Sequence, residues 1–552
     1  MTGARAEVVL AAAADGVHLT ALARGGSGGS TSAHEVVPPR DLPARVRELE
    51  TAHPRWVWAD TATSYPPLLR AGVRVERCHD LRLCRSILRA ALGAPPLSEV
   101  WDSAAADELA DALPLFGAQP LPPEEVLAER ERQRAALAHA PEPGRLATLL
   151  AAESAGALIA AEMSHDGLPW SVPAHERILA DLLGPRPRPG FRPAALERLQ
   201  EQVRTELAAP RLNPDSPVEL LRALRGAGIE ARTTRSWELR EIEHPAIAPL
   251  LEYKKLARLH TANGWAWLDA WVHADPDGRT RFHPEYVPGG VVTGRWATRG
   301  GGALQLPRQV RGAVVADPGW TLVVADVAQL EPRVLAAMAR DERMAEAARG
   351  RDLYQGLVDR GVVDTRAHAK VAMLGALYGA TTGASAELMP RLVRAFPRAI
   401  GVVEDAARRG EAGDVVRTWL GRTSPLPPAS WNAVQRRASE QDATAADRRR
   451  AGQRARDWGR FTRNFVVQGT AAEWALCWMA DLRGRLRELG GEPHLVFFLH
   501  DEVVVLTPDA LADDVATAVG AAAASAGRLL FGTFPVDFPL DVAIVDDYGK
   551  AD

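Results

Sequence analysis

The residues with the clearest potential for chemistry interrupt an apolar run. His500, Asp501 and Glu502 stand at the centre of the β-branched and aromatic stretch 495–506. Burying a carboxylate costs several kcal/mol unless it is paired or binds a metal, so two acids there indicate a site. We interpret 495–506 as two strands joined by a turn at His500 and Asp501, which lifts Asp501 to an exposed tip. An edge strand or a turn without chemistry is the alternative.

A second carboxylate follows another short apolar strand. Residues 321–325 are apolar or β-branched, Asp326 comes next, and a helical pattern extends over 334–338. Two strands that each deliver one Asp can place both acids on one pair of divalent cations, the arrangement that supports in-line phosphoryl transfer. An Asp between a strand and a helix is also a common N-cap, and on its own Asp326 fits either role.

A helix with cations on one face follows. Arg366, Lys370, Leu374 and Tyr378 recur every four residues, which aligns them along one face, and Gly379 can cap the helix. Only four of the 66 Lys and Arg residues are Lys. The retention of Lys370 is therefore informative, because a compact ammonium suits a single phosphate. A solvated helix face is the alternative interpretation.

Together these motifs resemble the three polymerase motifs of the family A DNA polymerases, the DNA polymerase I group. The first motif in that family is Asp-Tyr-Ser-Gln-Ile-Glu-Leu-Arg, and residues 326–333 keep its Asp, Gln, Glu and Arg. The second is matched by Arg366, Lys370, Tyr378 and Gly379, and the third, His-Asp-Glu, by 500–502. Flanking residues follow in the order of the family: Thr293, Gly294, Arg295, Arg460, Asn464 and Gln468. The likeness runs from about Glu153 to the C-terminus.

The resemblance implies a catalytic role for three of the matched residues. Asp326, Asp501 and the backbone carbonyl of Val327 would hold two Mg²⁺ ions, for which Mn²⁺ can substitute. Lys370 would join the two acids in catalysis as a proton donor to the leaving pyrophosphate. Glu502 is expected to neighbour the metals rather than to bind them.

The resemblance also implies two sets of substrate contacts. The incoming dNTP would be bound by Arg366, Lys370, Tyr378, Glu331 and Gln329. Glu331 is similar to a steric gate against a ribose 2′-hydroxyl, with Tyr378 as its hydrogen-bond partner. Primer–template DNA would contact Arg295, Arg460, Asn464, Gln468 and His500, partly in the minor groove, where acceptors are common to all base pairs.

Several positions depart from the family pattern. Leu374 stands where the family has an aromatic residue, and Val327 and Ala328 replace Tyr and Ser. Pro332 lies where the helix after the gate begins, and Pro is tolerated in a first helical turn. These changes are expected to affect fidelity, sugar selection and speed more than the reaction itself.

The predicted fold class is α+β, a right-hand polymerase whose palm is an antiparallel sheet covered by helices. The polymerase domain would span 146–552. Its helical thumb is expected at about 191–264, its palm at about 265–340 and 460–552, and its helical fingers at about 341–459.

Residues 1–145 resemble a degenerate RNase H-like 3′-5′ exonuclease domain. Such chemistry needs two metals and several carboxylates, and the expected acids are missing. Alanines occupy 11–14 where the first strand should end in Asp-x-Glu, Pro66 replaces a second acid, and Asp80 is expected to be solvated in a loop. We therefore predict a vestigial domain without proofreading.

Composition limits the remaining choices. A net charge of −4 excludes a generally basic surface, so DNA-binding cations must be concentrated, as in the locally basic segment 436–463. A solvated helix paired with nearby acids is the alternative there. Three cysteines are too few and wrongly spaced for a zinc site or a disulfide framework, which predicts a reducing, cytoplasmic setting. No apolar run is expected to span a membrane, no signal peptide is apparent, and a monomer is predicted.

Three other functions remain open. A polymerase with residual 3′-5′ exonuclease activity would keep some acids in the first domain. A non-catalytic DNA-binding relic would explain the motif drift, although its decay should strike Asp326, Asp501, Arg366 and Lys370 first. A nuclease could use the same metal pair, but it needs neither the helix 366–378 nor a 2′-hydroxyl gate.

Overall fold

A computed structural model of the protein describes residues 6–22, 31–92, 121–350, 352–379 and 384–551. The chain forms two compact units. Unit 1 comprises Met1–His165, Tyr286–Thr298 and Ala325–Val542, and unit 2 comprises Asp166–Glu285, Arg299–Val324 and Ala543–Asp552. The mixture of helices and sheets confirms the α+β class. The units do not separate at residue 145, and the domain boundaries given above remain a prediction.

The N-terminal part of unit 1 contains a five-stranded sheet in the order β3-β2-β1-β4-β5. Strands β1, β2 and β3 are antiparallel, whereas β4 and β5 run parallel to β1. Trp56 and Trp58 of β4 are fully buried in its core. The elements are β1 (Glu7–Ala13), β2 (Gly16–Leu22), β3 (Thr31–Val37), α1 (Leu42–Glu50), β4 (Arg55–Trp58), α2 (Thr61–Ser64), α3 (Pro66–Arg70), β5 (Arg77–Asp80), α4 (Leu81–Leu92), α5 (Pro123–Ala138) and α6 (Pro143–Asp166).

Asp80 differs from its sequence interpretation. It is the last residue of β5, not a loop residue, and it is buried. Its carboxylate accepts hydrogen bonds from the backbone N–H groups of Thr61 at 2.8 Å and Leu83 at 2.9 Å. Burial and then the charge of Asp60 raise the pKa of Asp80 to about 6. The expectation of a solvated acid is wrong, because the strand end and two helix starts enclose it.

Unit 2 is mostly helical, and the helical pattern predicted over 191–264 is confirmed. A small antiparallel sheet has the order β6-β8-β7. Leu220, Leu224 and Leu250 are fully buried in the helical core. The elements are β6 (Leu168–Pro169), α7 (Val172–Leu183), α8 (Ala194–Glu206), α9 (Pro217–Gly226), α10 (Ser236–Leu239), α11 (Ile247–Asn263), α12 (Trp265–Trp271), β7 (Val272–Ala274), β8 (Thr280–Phe282) and α13 (Arg308–Arg311).

The rest of unit 1 surrounds a four-stranded sheet in the order β12-β13-β11-β14, whose strands β11 and β14 have residues in both units. The strands are β9 (Tyr286–Val287), β10 (Ala297–Thr298), β11 (Trp320–Val327), β12 (His494–Leu499), β13 (Glu502–Pro508) and β14 (Leu540–Val545). The helices are α14 (Leu330–Met338), α15 (Glu342–Ala348), α16 (Leu353–Asp359), α17 (Arg366–Tyr378), α18 (Ala384–Ala395), α19 (Pro397–Glu411), α20 (Ala429–Ser439), α21 (Ala445–Leu489) and α22 (Ala512–Phe531).

Helix α21 is 45 residues long, and the sequence patterns did not reveal this length. It begins with a capping box between Thr444 and Asp447 and ends at Gly490, which has a φ of +68°. Both features are strong helix boundaries. The basic residues near 448 and the uncharged stretch 464–472 therefore belong to one continuous element.

Helix α6 has the length and apolar character of a membrane span. The expectation that no run reaches this length is therefore too strict. However, 72% of its apolar window is buried inside the protein. The helix is accordingly explained as a core helix.

A buried ion pair joins the N-terminal part of unit 1 to α21. Arg483 donates to both carboxylate oxygens of Glu162 at 2.7 Å, and to the carbonyls of Val75 at 2.6 Å and Glu76 at 2.8 Å. The Tyr65 hydroxyl donates to the same carboxylate at 2.6 Å. Burial alone would raise the pKa of Glu162, but the charge and hydrogen bonds of Arg483 lower it to about 2.

Replacement of Arg483 should therefore destabilise the fold strongly. Arg483→Met leaves the buried Glu162 carboxylate with only Arg74, whose guanidinium lies 4.0 Å away. The loss is expected to cost about 3–5 kcal/mol of unfolding free energy. Urea denaturation measures this loss. Arg485→Met, on the same helix but in the more solvent-accessible pair with Asp481, should cost less than about 1 kcal/mol. Equal losses in the two variants would contradict the assignment.

The same pair predicts a pH dependence. The folded-state pKa of Glu162 lies below its ordinary value of 4.5, so the pair stabilises the fold above pH 4.5 and loses its effect as the pH falls toward 2. In Glu162→Gln, the free energy of unfolding should lack the part of its decline between pH 4.5 and pH 2 that protonation of Glu162 causes. Identical stability–pH slopes for the variant and the unmodified protein would contradict it.

Candidate active site

The predicted turn between two strands is confirmed. Strands β12 and β13 are antiparallel, and Leu499 pairs with Glu502, so His500 and Asp501 form a two-residue turn. His500 has a φ of +62°, which suits such a turn. Asp501 is half-buried rather than fully exposed, because neighbouring chain covers the turn. The backbone N–H of Val327, at the end of β11, donates to the carbonyl of Asp501 at 3.1 Å.

Asp326 lies inside β11, and the N-cap interpretation is wrong. The following helix begins at Leu330, and its N-cap position is held by Gln329 with a φ of +49°. The contact between Val327 and Asp501 therefore brings the ends of the two acidic motifs together. Asp326 is free of any capping role and available for chemistry.

The electrostatics of this cluster favour a bound cation. Asp326 keeps an exposed surface. The protein atoms around its carboxylate first, and then the charges of Asp501, Glu502 and Asp541, raise the pKa of Asp326 to about 7. Burial also raises the pKa of Asp501 to about 6, although Arg295 opposes this shift. Carboxylate oxygens are the ligands that Mg²⁺ and Mn²⁺ prefer. The donor set therefore fits a divalent metal, which would offset both the burial of the two carboxylates and the repulsion between the clustered acids.

Asp541 was missed by the sequence interpretation. It lies on β14, next to β11 in the sheet, and two residues beyond Pro539, whose carbonyl accepts the N–H of Ala328 at 3.1 Å. The only sequence signal is an acid in the otherwise apolar segment 540–545. Such a signal gains meaning only once the pairing of the two strands is known.

Helix α17 has the boundaries that its pattern predicted. It runs from Arg366 to Tyr378, with Gly379 at its C-cap at a φ of +71°. Arg366 donates twice to Asp352 Oδ2, at 2.9 and 2.7 Å. Lys370 is exposed, and we find no ion-pair partner for it within the described residues. Arg366 is already paired with Asp352, so Lys370 is the cation on this face of the helix that can bind an incoming anion.

Glu331 joins two of the other predicted site residues. Its carboxylate accepts from Tyr378 Oη at 2.9 Å and from Arg295 Nη2 at 2.5 Å. The hydrogen bond expected between Tyr378 and Glu331 is thus confirmed. Burial and the charge of Glu331 raise the pKa of Tyr378 to about 12, so the phenol remains a donor at neutral pH.

Helix α21 presents the predicted DNA-contact residues at intervals of four. Arg460, Asn464 and Gln468 are each half-buried, and Gln468 Oε1 accepts from Thr293 Oγ1 at 3.0 Å. Arg460 forms an ion pair with Asp457. These side chains lie along one face of the helix.

Two further sequence interpretations need adjustment. The side-chain carbonyl of Gln329 accepts a hydrogen bond from the backbone N–H of Leu353 at 3.2 Å. This side chain thus has a structural contact within the protein, and its nucleotide contact stays a prediction. In the basic segment, Arg437 pairs with Glu440 and Asp442, as the solvated-helix alternative proposed.

His500 is exposed at the turn. Partial burial and then the charge of Arg295 lower the pKa of its imidazole. The ring is therefore neutral at physiological pH and can act as a hydrogen-bond donor and acceptor.

The fold is that of a polymerase domain. The chain superposes on the structure titled "POL domain of Pol1 from M. smegmatis complex with DNA primer-template and dNTP" with a TM-score of 0.70. The match covers 99% of this chain and 96% of that chain at 18% sequence identity.

The sequence gives the family. Residues 194–549 match the model of DNA polymerase family A, and the chain belongs to this family. It is 27% identical over 325 residues to DNA polymerase I of Chloroflexus aurantiacus, and 28% identical over 328 residues to the thermostable DNA polymerase I of Thermus filiformis. These matches cover 54% of this chain, but only 32% and 36% of the two relatives. The chain thus spans about a third of the length of the relatives it matches.

Metal affinity should depend on pH in this site. Because the pKa of Asp326 is near 7 and that of Asp501 near 6, both acids must lose protons before they bind a cation. Mn²⁺ affinity, measured by electron paramagnetic resonance, should weaken about tenfold or more between pH 8 and pH 6. Asp326→Asn should abolish this dependence together with tight binding, whereas Asp509→Asn, at the other end of β13, should not. A pH-independent affinity would contradict the assignment.

Proposed function

We propose that the protein is a template-directed DNA polymerase that adds dNTPs to a primer 3′-hydroxyl by nucleotidyl transfer. The observation that carries the proposal is the convergence of Asp326 and Asp501 through the hydrogen bond from Val327 to Asp501. Membership of DNA polymerase family A supports it, and members of this family use divalent metal ions. The substrates proposed are primer–template DNA and dNTPs.

Asp326, Asp501 and the carbonyl of Val327 would hold two Mg²⁺ ions. When bound, these ions supply activation of the primer hydroxyl and neutralisation of the triphosphate. The chain itself provides the cationic face of α17. Lys370 would pair with a phosphate and protonate the departing pyrophosphate, while Asp352 holds Arg366 in place for a second phosphate contact.

Glu331 is proposed as the gate for the sugar. Its carboxylate is fixed by two donors on different elements, Tyr378 and Arg295. A side chain fixed in this way cannot swing aside to admit a 2′-hydroxyl, which predicts preference for deoxynucleotides. Tyr378 would in addition present its ring beside the nascent base pair.

The DNA-contact residues are proposed to read the primer–template junction. Arg295 and His500 would touch the primer end, and the face of α21 with Arg460, Asn464 and Gln468 would follow the minor groove. Its acceptors are shared by all base pairs, so such contacts monitor pairing geometry without selecting sequence.

The first 145 residues are proposed to lack proofreading. In β1, the positions from Ala11 to Ala13 carry no acid, and the enclosed carboxylate of Asp80 already accepts two backbone N–H groups. Residual 3′-5′ exonuclease activity remains the alternative. The monomeric state and the cytoplasmic location stay predictions.

Primer extension tests the proposed activity. A labelled primer on a longer template should lengthen with Mg²⁺ and all four dNTPs, and Asp501→Asn should reduce the rate at least about a thousandfold. Asp509→Asn should retain it. No lengthening by the unmodified protein, with primer–template still bound, would contradict the proposal and favour a non-catalytic relic.

A lane without dNTPs tests the exonuclease prediction in the same assay. The primer should keep its length there, because alanines occupy the end of β1, where the first acids of an exonuclease site are expected. Shortening of the 3′ end would show that proofreading activity remains.

The gate predicts a change in sugar selection. Glu331→Ala should raise ribonucleotide incorporation relative to deoxynucleotide incorporation by about tenfold or more, since the 2′-hydroxyl would gain space. Tyr378→Phe, which releases one oxygen of Glu331, should raise it less. Comparison of kcat/KM for matched rNTP and dNTP pairs measures both effects, and unchanged ratios in Glu331→Ala would overturn the role.

A further inference from the structure

A second buried Arg–Glu pair lies outside every motif considered so far. Arg422 Nη2 donates to Glu153 Oε2 at 2.5 Å, and the two side chains are 11% and 1% exposed. Glu153 comes from α6, and Arg422 follows α19. The partners are 269 residues apart in sequence, so no local sequence pattern predicts the ion pair.

The segment 289–295, which includes Arg295, packs directly on the ion pair of Arg422 and Glu153. Gly289 and Gly294 have φ values of +63° and +87°. A Cβ on Gly294 would lie 2.5 Å from Arg422 Nε, and a Cβ on Gly289 would lie 2.7 Å from Glu153 Oε1. Only glycine therefore permits this approach, and the backbone of the segment rests on the ion pair.

The pair is not arranged for stability alone. Arg422 Nε and Glu153 Oε1, the two atoms that face the glycines, have no hydrogen-bond partner within the described part of the chain. A buried polar atom left in this way costs about 1–3 kcal/mol. In the pair of Arg483 and Glu162, by contrast, both carboxylate oxygens accept hydrogen bonds. Because Arg422 Nε and Glu153 Oε1 lie against Gly294 and Gly289 at this energetic cost, we infer that the ion pair serves to position the segment 289–295.

The same segment makes two contacts to the proposed DNA and nucleotide site. On one side of Gly294, Thr293 donates to Gln468, and on the other, Arg295 donates to Glu331. A shift of Gly294 must therefore disturb both contacts. The N–H of Arg422 also bonds Thr418 Oγ1 at 2.9 Å, and Thr418 packs against Gly469 of α21.

We propose that Glu153 and Arg422 are positioning residues for the proposed reaction. They fix the 293–295 turn, and through it Arg295 and Gln468, against the primer end. The inference rests on the proposed polymerase function. It predicts that loss of the pair lowers catalytic efficiency and the discrimination against mismatched primer ends, beyond any loss of stability.

Glu162→Gln is a matched control for Glu153→Gln. Both substitutions neutralise a buried Glu on α6 opposite a buried Arg, and both should lower the melting temperature. Single-nucleotide incorporation should distinguish them. Glu153→Gln is expected to reduce kcat/KM on a matched primer about tenfold, through misplacement of Arg295. Glu162→Gln should stay within about twofold of the unmodified protein.

A double-mutant cycle with Arg295→Ala decides whether the pair acts through Arg295. The loss caused by Glu153→Gln should largely disappear in the Arg295→Ala background, because the residue it positions is gone. Full additivity, or equal kinetic losses in Glu153→Gln and Glu162→Gln, would overturn the proposal. If Glu153→Gln does not fold, Gly294→Ala keeps both charges, displaces the same turn and should produce the same loss of kcat/KM on a matched primer.

Measurement of the unmodified protein in parallel distinguishes a failure of the proposed polymerase function from a failure of the positioning role. Without incorporation by that protein, the proposed function itself fails. With incorporation but no difference between the two Gln variants, only the positioning role fails.

Discussion

The crowding of carboxylates at the end of β11 is the constraint on which the rest of the site depends. Partial burial of the carboxylate first, and then the charges of Asp501, Glu502 and Asp541, raise the pKa of Asp326. Such repulsion is tolerated only because the strands that carry the acids are anchored by buried neighbours, including Val323 and Val504. The core thus holds the acids in an arrangement that they would not adopt alone, and a bound divalent cation would relieve their repulsion.

Patterns confined to a short stretch predicted the structure well. The turn at His500 and the boundaries of α17 follow from residue spacing. The hydrogen bond from Tyr378 to Glu331 joins residues 47 positions apart, and it was expected from the family resemblance rather than from a local pattern. The N-cap interpretation of Asp326 failed because helix α14 starts four residues later than the acid. In that case two local signals competed, and the position of the helix start decided between them.

Contacts between distant residues outside the motifs of the family could not be predicted. The role of Asp541 depends on the pairing of β14 with β11, and the pair of Glu153 and Arg422 joins residues 269 positions apart. The burial of Asp80 likewise depends on two helix starts that close around a strand end. A sequence shows the members of such sets, but tertiary packing determines which members meet. The length of α21 was missed for another reason, since its composition changes from basic to apolar along one continuous element.

The central claim is that Asp326 and Asp501 together bind the catalytic metal ions. Anomalous X-ray scattering from crystals of the protein grown with Mn²⁺, primer–template DNA and a non-hydrolysable dNTP analogue tests it most directly. The account predicts two anomalous peaks bonded to carboxylate oxygens of Asp326 and Asp501. Peaks elsewhere, or an ordered nucleotide with no metal at these two residues, would contradict it.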